Sequence, residues 1–124
     1  MAYEWREDLP ERCPPMEART TSDYYYRLTN NFPPTDLDFV SKKIEEPDKK
    51  FKCGECIARA CSMFSEKSGC ENQKKLPLHK NQKVVRIKLD ESSGLVMQTG
   101  HDKKHYSWWR DRRFNIVTAS SLEA

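Results

Sequence analysis

The segment 100–113 has the residue types that could bind an anionic ligand. It contains His105, Tyr106, Trp108 and Trp109 among several lysines and arginines. An aromatic ring beside such cations can stack on a base while the cations hold a phosphate. Two adjacent tryptophans cannot both lie on one face of a strand, so we expect one indole in the core and the other in a groove. The alternative is a hairpin whose aromatic side chains fill the core while its charges face water.

Arg27 is a second candidate, because it lies among tyrosines in the sequence YYYRLT at 24–29. A guanidinium in a pocket can bind a phosphate through two parallel hydrogen bonds. Most arginines instead face solvent, which is the alternative here. The expected site is one cleft that binds a nucleotide or another anionic ligand. It would be flanked by Arg27, Arg59 and the segment 101–113.

The cysteines are a third group, since Cys53, Cys56, Cys61 and Cys70 have the spacing C-x2-C-x4-C-x8-C. Zinc needs four ligands in a tetrahedron, but on a helix Cys56 and Cys61 are rotated apart by about 140°. The CGEC sequence is similar to a dithiol redox motif, although no buried strand precedes it. We therefore expect thiols on a core helix and neither a zinc site nor a disulfide framework, as is usual in a reducing cytosol.

The elements that would position these residues follow from periodicity and turn residues. Apolar residues at 57, 60, 61 and 64 share one helical stripe, which predicts a core helix from about 54 to 69. The other predicted elements are strands at 24–29, 83–89, 94–98 and 114–118 and a helix at 35–47. The strands 83–89 and 94–98 are expected to pair as an antiparallel hairpin. This pattern predicts an α+β fold in which two helices pack on a small, mostly antiparallel sheet.

Length and composition limit the choice further. A chain of 124 residues predicts a single domain, with residues 1–22 as an extended arm and residues 119–124 as a frayed tail. The net charge of +3 is too small to require a nucleic-acid partner. Apolar runs of about 20 residues and a signal-peptide pattern are both missing, which predicts a cytoplasmic protein without a membrane partner.

Four stretches of the chain carry a resemblance to known proteins. They are RCPP at 12–15, YYYRLTNNFPPTDLDFVS at 24–41, ECIARACSMF at 55–64 and TGHDKKHYSWW at 99–109. Through them the chain resembles a family of small bacterial proteins of uncharacterised function, which implies no activity.

The order of the elements also looks loosely like an ADP-ribosyltransferase-like fold. That likeness implies NAD as the cofactor, with Arg27 on its pyrophosphate and Tyr106 or Trp108 stacked on its nicotinamide. Ser41 or Ser62 would line the ribose side with His105. The chain departs from that pattern because it has no Glu-x-Glu or Gln-x-Glu pair to activate an acceptor.

Three functional hypotheses follow. The first is a domain that binds a nucleotide or another anionic ligand. The second is a protein-interaction module, associated for example with phage or defence, and the third is an NAD-dependent ADP-ribosyltransferase-like enzyme. The predicted ligand-binding residues are Arg27, Ser41, Arg59, Ser62, His105, Tyr106, Trp108 and Trp109.

Overall fold

A computed structural model describes residues 2–123 and contains a six-stranded sheet in which every strand pair is antiparallel. The strand order is β4-β5-β2-β1-β3-β6. The strands are β1 Tyr24–Thr29, β2 Cys61–Phe64, β3 Lys83–Lys88, β4 Gly94–Gln98, β5 His105–Arg110 and β6 Ser120–Leu122. The predicted α+β class is therefore confirmed.

The helices are short, and in the sequence they lie between strands. The α-helices are α1 Lys42–Glu45, α2 Glu55–Ala58, α3 Lys67–Lys74 and α4 Ile116–Ala119, and two 3-10 helices cover Asp36–Phe39 and Pro77–His79. The helix predicted at 35–47 is thus split into a 3-10 helix and α1. No helix of the described residues is long and apolar enough to cross a membrane.

Apolar side chains cover both faces of the sheet. On one face Met63, Ile87 and Trp108 form the main core, in which each is fully buried. On the other face α3 places Cys70 against Leu28 and the neighbouring part of β3. The alternation predicted for 83–89 is observed, because Val85 and Ile87 of β3 and Leu89 directly after it are fully buried.

The predicted core helix at 54–69 is wrong. α2 has only four residues, and the chain then enters the middle of the sheet as β2. Cys61 and Met63 are buried on one face, while Ser62 and Phe64 are half-buried on the other. A four-residue apolar segment fits a helical stripe and a strand equally well, so its period could not decide between them.

The predicted hairpin between β3 and β4 is also wrong. β3 pairs with β1 and β6, whereas β4 pairs with β5. Val84 and Val85 point to opposite faces of β3 and are both buried. β3 is therefore covered on both faces and paired at both edges, as an interior strand is.

The C-terminal segment differs from the prediction in two ways. The strand expected at 114–118 is mostly helix α4, whose N-terminus is capped by Asn115 accepting a hydrogen bond from the Thr118 amide at 3.2 Å. The following residues, expected to be frayed, form β6 and pair with β3 through Leu122 and Val85. Ala124 lies outside the described residues.

The N-terminal arm contains turns at 11–12 and 16–17 and is attached to the body at several points. The amide of Arg6 donates to the Arg110 carbonyl at 2.9 Å, and Arg19 exchanges two backbone hydrogen bonds with Val96 on the edge strand β4. The second contact covers part of an edge that would otherwise be open to pairing. Met1, which was predicted to be part of this arm, lies outside the described residues.

The arm also carries a disulfide, between Cys13 and Cys56. The expectation that these cysteines are thiols is therefore wrong. The spacing within 53–70 could not reveal this bond, because its partner is 43 residues away in the chain. Cys53, Cys61 and Cys70 are free.

Candidate functional site

Two adjoining clefts open beside β2 and β5. The first, here called the histidine cleft, has a volume of about 130 Å³ and the second, the apolar cleft, about 370 Å³. The histidine cleft is lined by Arg27, Leu28, Lys42, Glu45, Ser62, Phe64, Gln73, His79, Gln82 and His105. The apolar cleft is lined by Lys42, Phe51, Cys53, Ile57, Ala58, Ala60, Ser62, Thr99, Gly100, His105 and Ser107. Lys42, Ser62 and His105 line both, so the two clefts adjoin at these residues.

The histidine cleft lies where the sheet separates between β1 and β2. These strands share a single residue pair, Tyr26 with Phe64, whereas β1 and β3 pair over six residues. Beside this pair, the Ser62 carbonyl of β2 has no partner from β1. Buried backbone groups need a hydrogen-bond partner, so another donor must replace the missing strand contacts.

Arg27 is that donor. Its Nε donates to the Asp38 carbonyl at 2.7 Å, its Nη1 to the Ser62 carbonyl at 2.6 Å and its Nη2 to the Val40 carbonyl at 3.2 Å. The side chain is only 14 % exposed. Arg27 therefore neither faces solvent nor offers a free fork to a phosphate, but it does place a fixed positive charge in the wall of the histidine cleft.

His105 has one ring nitrogen held by the protein. Its Nδ1 lies 3.1 Å from the Thr99 carbonyl oxygen. The Thr99 hydroxyl oxygen also lies 3.2 Å from Nδ1. When Nδ1 carries the proton it donates to the carbonyl, and Nε2 of the neutral ring then has a free lone pair. The ring packs edge-on against Phe64 with 5.6 Å between centroids, which limits its rotation.

His79 is held in the same way, although sequence reasoning did not select it as a site residue. Its Nδ1 lies 2.6 Å from Oε1 of Gln82, whose Nε2 donates to Asn30 at 3.1 Å. With the Gln82 amide in this orientation its oxygen faces His79, so Nδ1 of His79 is the donor and Nε2 is free. Among residues 2–123, neither the Nε2 of His79 nor that of His105 takes part in a hydrogen bond of the structure.

The charges around the histidine cleft favour an anion. Arg27 and Lys42 are positive, and Glu45 is the one carboxylate in the lining. Glu45 lies 3.7 Å from Arg27 and 3.9 Å from Lys42, too far for a strong pair with either. The net charge of the lining is therefore one positive charge when both imidazoles are neutral. Protonation of either imidazole adds one more positive charge.

Ser62 is the third predicted site residue in this region, and it lies between the two clefts. It pairs with Ser107 across β2 and β5, so both side chains project from the same face. Ser107 is buried and shares a 2.7 Å hydrogen bond with the Thr99 hydroxyl. Ser62 is half-buried and lines both clefts, which leaves its hydroxyl available to a ligand.

Two other predicted residues have structural roles away from the clefts. Ser41 is fully buried, caps α1 and donates its hydroxyl to Glu7 of the arm at 2.5 Å. Arg59 lies 3.7 Å from Glu55 and lines a separate cavity of about 10 Å³ beside Trp109. Neither residue lines the histidine cleft or the apolar cleft.

The predicted aromatic residues do not line the two clefts either. Trp108 and Trp109 are both completely buried, so the expectation that one indole lines a groove is wrong. Trp108 donates to the Ser93 carbonyl and Trp109 to the Cys56 carbonyl, each at 3.0 Å. The rings point to opposite faces as predicted, but both faces are covered. Tyr106 packs edge-on against Tyr25 on the main core side, at 5.5 Å.

The free cysteines of the sheet and of α3 are not reactive groups. Burial raises the pKa of the Cys61 thiol, and it raises that of Cys70 to about 12. Both are therefore thiols rather than thiolates at neutral pH. Within residues 2–123, no group of three or more His, Cys, Asp or Glu side chains could hold a metal ion.

Comparison of the chain with protein-family models, curated proteins and solved structures gives no match. The resemblance to a bacterial family and the ADP-ribosyltransferase-like arrangement therefore stay predictions.

Proposed function

We propose that this chain is a binding domain for a nucleotide or a similar anionic ligand, whose phosphate occupies the histidine cleft and whose base occupies the apolar cleft. The observation that carries this proposal is that Lys42, Ser62 and His105 line both clefts. A single ligand with a charged and a flat apolar part fits such a pair. The apolar cleft alone is within the roughly 300–1,000 Å³ of small-molecule sites.

The residues that line each cleft suit the part of the nucleotide that we propose binds there. In the histidine cleft, Lys42, the Ser62 hydroxyl and a protonated imidazole can donate to phosphate oxygens. In the apolar cleft, Phe51 and Ile57 offer hydrophobic surface against which a base can pack. Arg27 adds its positive charge without binding the ligand directly.

Calorimetric titration with adenosine 3′-monophosphate, adenosine and inorganic phosphate tests the proposal. The nucleotide should bind at least tenfold more tightly than either fragment. Lys42→Ala should weaken binding about tenfold, the loss of roughly 1.4 kcal/mol that one charged contact supplies. Lys103→Ala is the matched control, because Lys103 is exposed and lines neither cleft. Equal affinity for the nucleotide and phosphate would refute the use of the apolar cleft.

A protein-interaction module is the second candidate, and exposed leucines favour it. Leu78 is 83 % exposed and Leu76 is 56 % exposed, both beside His79. In an affinity capture experiment, the native chain should bind a phage- or defence-associated partner, and the variant Leu78→Asp should not bind it. The NAD-dependent transferase has less support, because three of the five N–H groups of Arg27 already donate to carbonyls.

The cytoplasmic location also stays a hypothesis. The disulfide between Cys13 and Cys56 is a bond that cytosolic thiol systems normally keep reduced. An oxidising environment is therefore the condition that best matches the described chain.

A further inference from the structure

We propose that the histidine cleft cleaves RNA phosphodiester bonds by general acid–base catalysis, an inference that rests on the proposed nucleotide binding. The observation behind it is the pair His79 and His105. Nδ1 of each ring lies within hydrogen-bond distance of a protein oxygen, neither Nε2 has a hydrogen-bond partner among residues 2–123, and both rings line one cleft of about 130 Å³. A neutral imidazole accepts a proton at Nε2, and a protonated one donates from it.

The adjoining clefts assign a role to each histidine. A nucleoside whose base fills the apolar cleft brings its own ribose to His105, the histidine that lines both clefts. Its 3′-phosphate then enters the histidine cleft, and the next nucleotide leaves on the side of His79. His105 is thus the base that faces the 2′-hydroxyl, and His79 is the acid that faces the 5′-oxygen.

The reaction is a transesterification in which atoms and protons balance. Nε2 of His105 takes the proton of the 2′-hydroxyl while the 2′-oxygen forms a bond to phosphorus. The bond between phosphorus and the 5′-oxygen breaks, and Nε2–H of protonated His79 gives its proton to that oxygen. The products are a 2′,3′-cyclic phosphate and a 5′-hydroxyl end, and proton exchange with water resets both rings.

The negative charge that builds up on the phosphoryl oxygens has cations beside it. Lys42 lines both clefts, and the Arg27 guanidinium is fixed in the wall by its carbonyl contacts. Charges that are already in place need no reorganisation as the transition state forms, so they stabilise it efficiently. DNA lacks the 2′-hydroxyl and should therefore bind without being cleaved.

The test uses a mixed-sequence oligoribonucleotide and its 2′-deoxy counterpart, with products identified by mass spectrometry. The wild-type chain should cleave only the RNA and give cyclic-phosphate ends. His79→Ala and His105→Ala should each slow cleavage about 100-fold or more, as loss of a general acid or base does. His101→Ala, the exposed third histidine, should cleave at the wild-type rate. Cleavage that persists in both variants, or products with 3′-hydroxyl ends, would overturn the proposal.

A nucleoside 3′-aryl phosphate separates the two roles. Its phenolate leaving group needs no proton, so His79→Ala should act on it at nearly the wild-type rate while His105→Ala stays slow. A variant that only misfolded would be slow on both substrates. The wild-type rate should also follow a bell-shaped pH profile, because one ring must be neutral and the other protonated; a flat profile would contradict the mechanism.

Binding of the deoxy-oligonucleotide, followed by fluorescence polarisation, separates this inference from the proposed function. If the deoxy-oligonucleotide binds and the RNA is not cleaved, nucleotide binding stands and the cleavage proposal fails. If neither oligonucleotide binds, both fail.

Discussion

The substitution Arg27→Lys distinguishes a structural arginine from one that binds a ligand by charge. A lysine keeps the positive charge, but its single ammonium cannot reach three carbonyls that belong to the separate segments at Asp38, Val40 and Ser62. A hydrogen bond to a charged group contributes about 1.5–3 kcal/mol net. Loss of two of the three, eased by water that enters the open cleft, should cost about 2–4 kcal/mol of a total near 5–15 kcal/mol.

Urea unfolding measures this loss. With a slope near 2 kcal/mol/M, the midpoint should fall by about 1–2 M while the slope stays unchanged. The control is Arg86→Lys on the neighbouring strand β3, where the guanidinium stacks over Tyr24 at 4.3 Å. That change should cost less than about 1 kcal/mol. If Arg27→Lys were as stable as the wild type but bound no nucleotide, the structural role assigned to Arg27 would be refuted.

Two further predictions concern the arm and the residues that it contacts. Hydrogen bonds from Arg113 lower the pKa of the buried Asp111, so its contribution to stability is present above about pH 4 and is lost as the pH falls below it. The difference in unfolding free energy between the wild type and Asp111→Asn should therefore shrink from pH 6 to pH 3, and a constant difference would contradict the assignment. Cys13→Ser should lower the free energy of unfolding by about 2–4 kcal/mol. Thiol titration of the unreduced, denatured wild type should count three thiols, and a count of five would rule out the disulfide.

Half of the sheet could be predicted from local patterns. β1 and β4 have the bounds that their aromatic and apolar residues indicated, and β3 differs by one residue. The alternation in 83–88 and the polar residues on either side are enough to predict that this segment is a strand. The pairing partners could not be predicted in the same way, because a strand's neighbours depend on long-range burial. The two buried valines Val84 and Val85 were the available sign that β3 is interior.

Only part of the candidate site could be predicted, again because the rest depends on contacts between distant parts of the chain. Arg27, Ser62 and His105 were selected by residue type, and the pairing of β2 with β5 brings the last two close together. His79 follows an exposed leucine in a polar segment and gives no strong local signal. It becomes a site residue only because Gln82 orients it and α3 brings the 3-10 helix beside the cleft. The prediction for the tryptophans was wrong because side chains and loops cover both faces of the sheet at β5, so neither indole reaches a groove.

The position of the clefts follows from the separation of β1 and β2. A continuous ladder there would fill the space with backbone contacts and leave no opening between Ser62 and the neighbouring strand. Arg27 donates to the Ser62 carbonyl, which the separation leaves without a partner from β1, so the sheet tolerates a gap at its centre. Because the three carbonyl contacts occupy Arg27, recognition of a ligand falls to Lys42, Ser62 and the two histidines. A variant that closes the gap should therefore remove binding even if all four of those residues are intact.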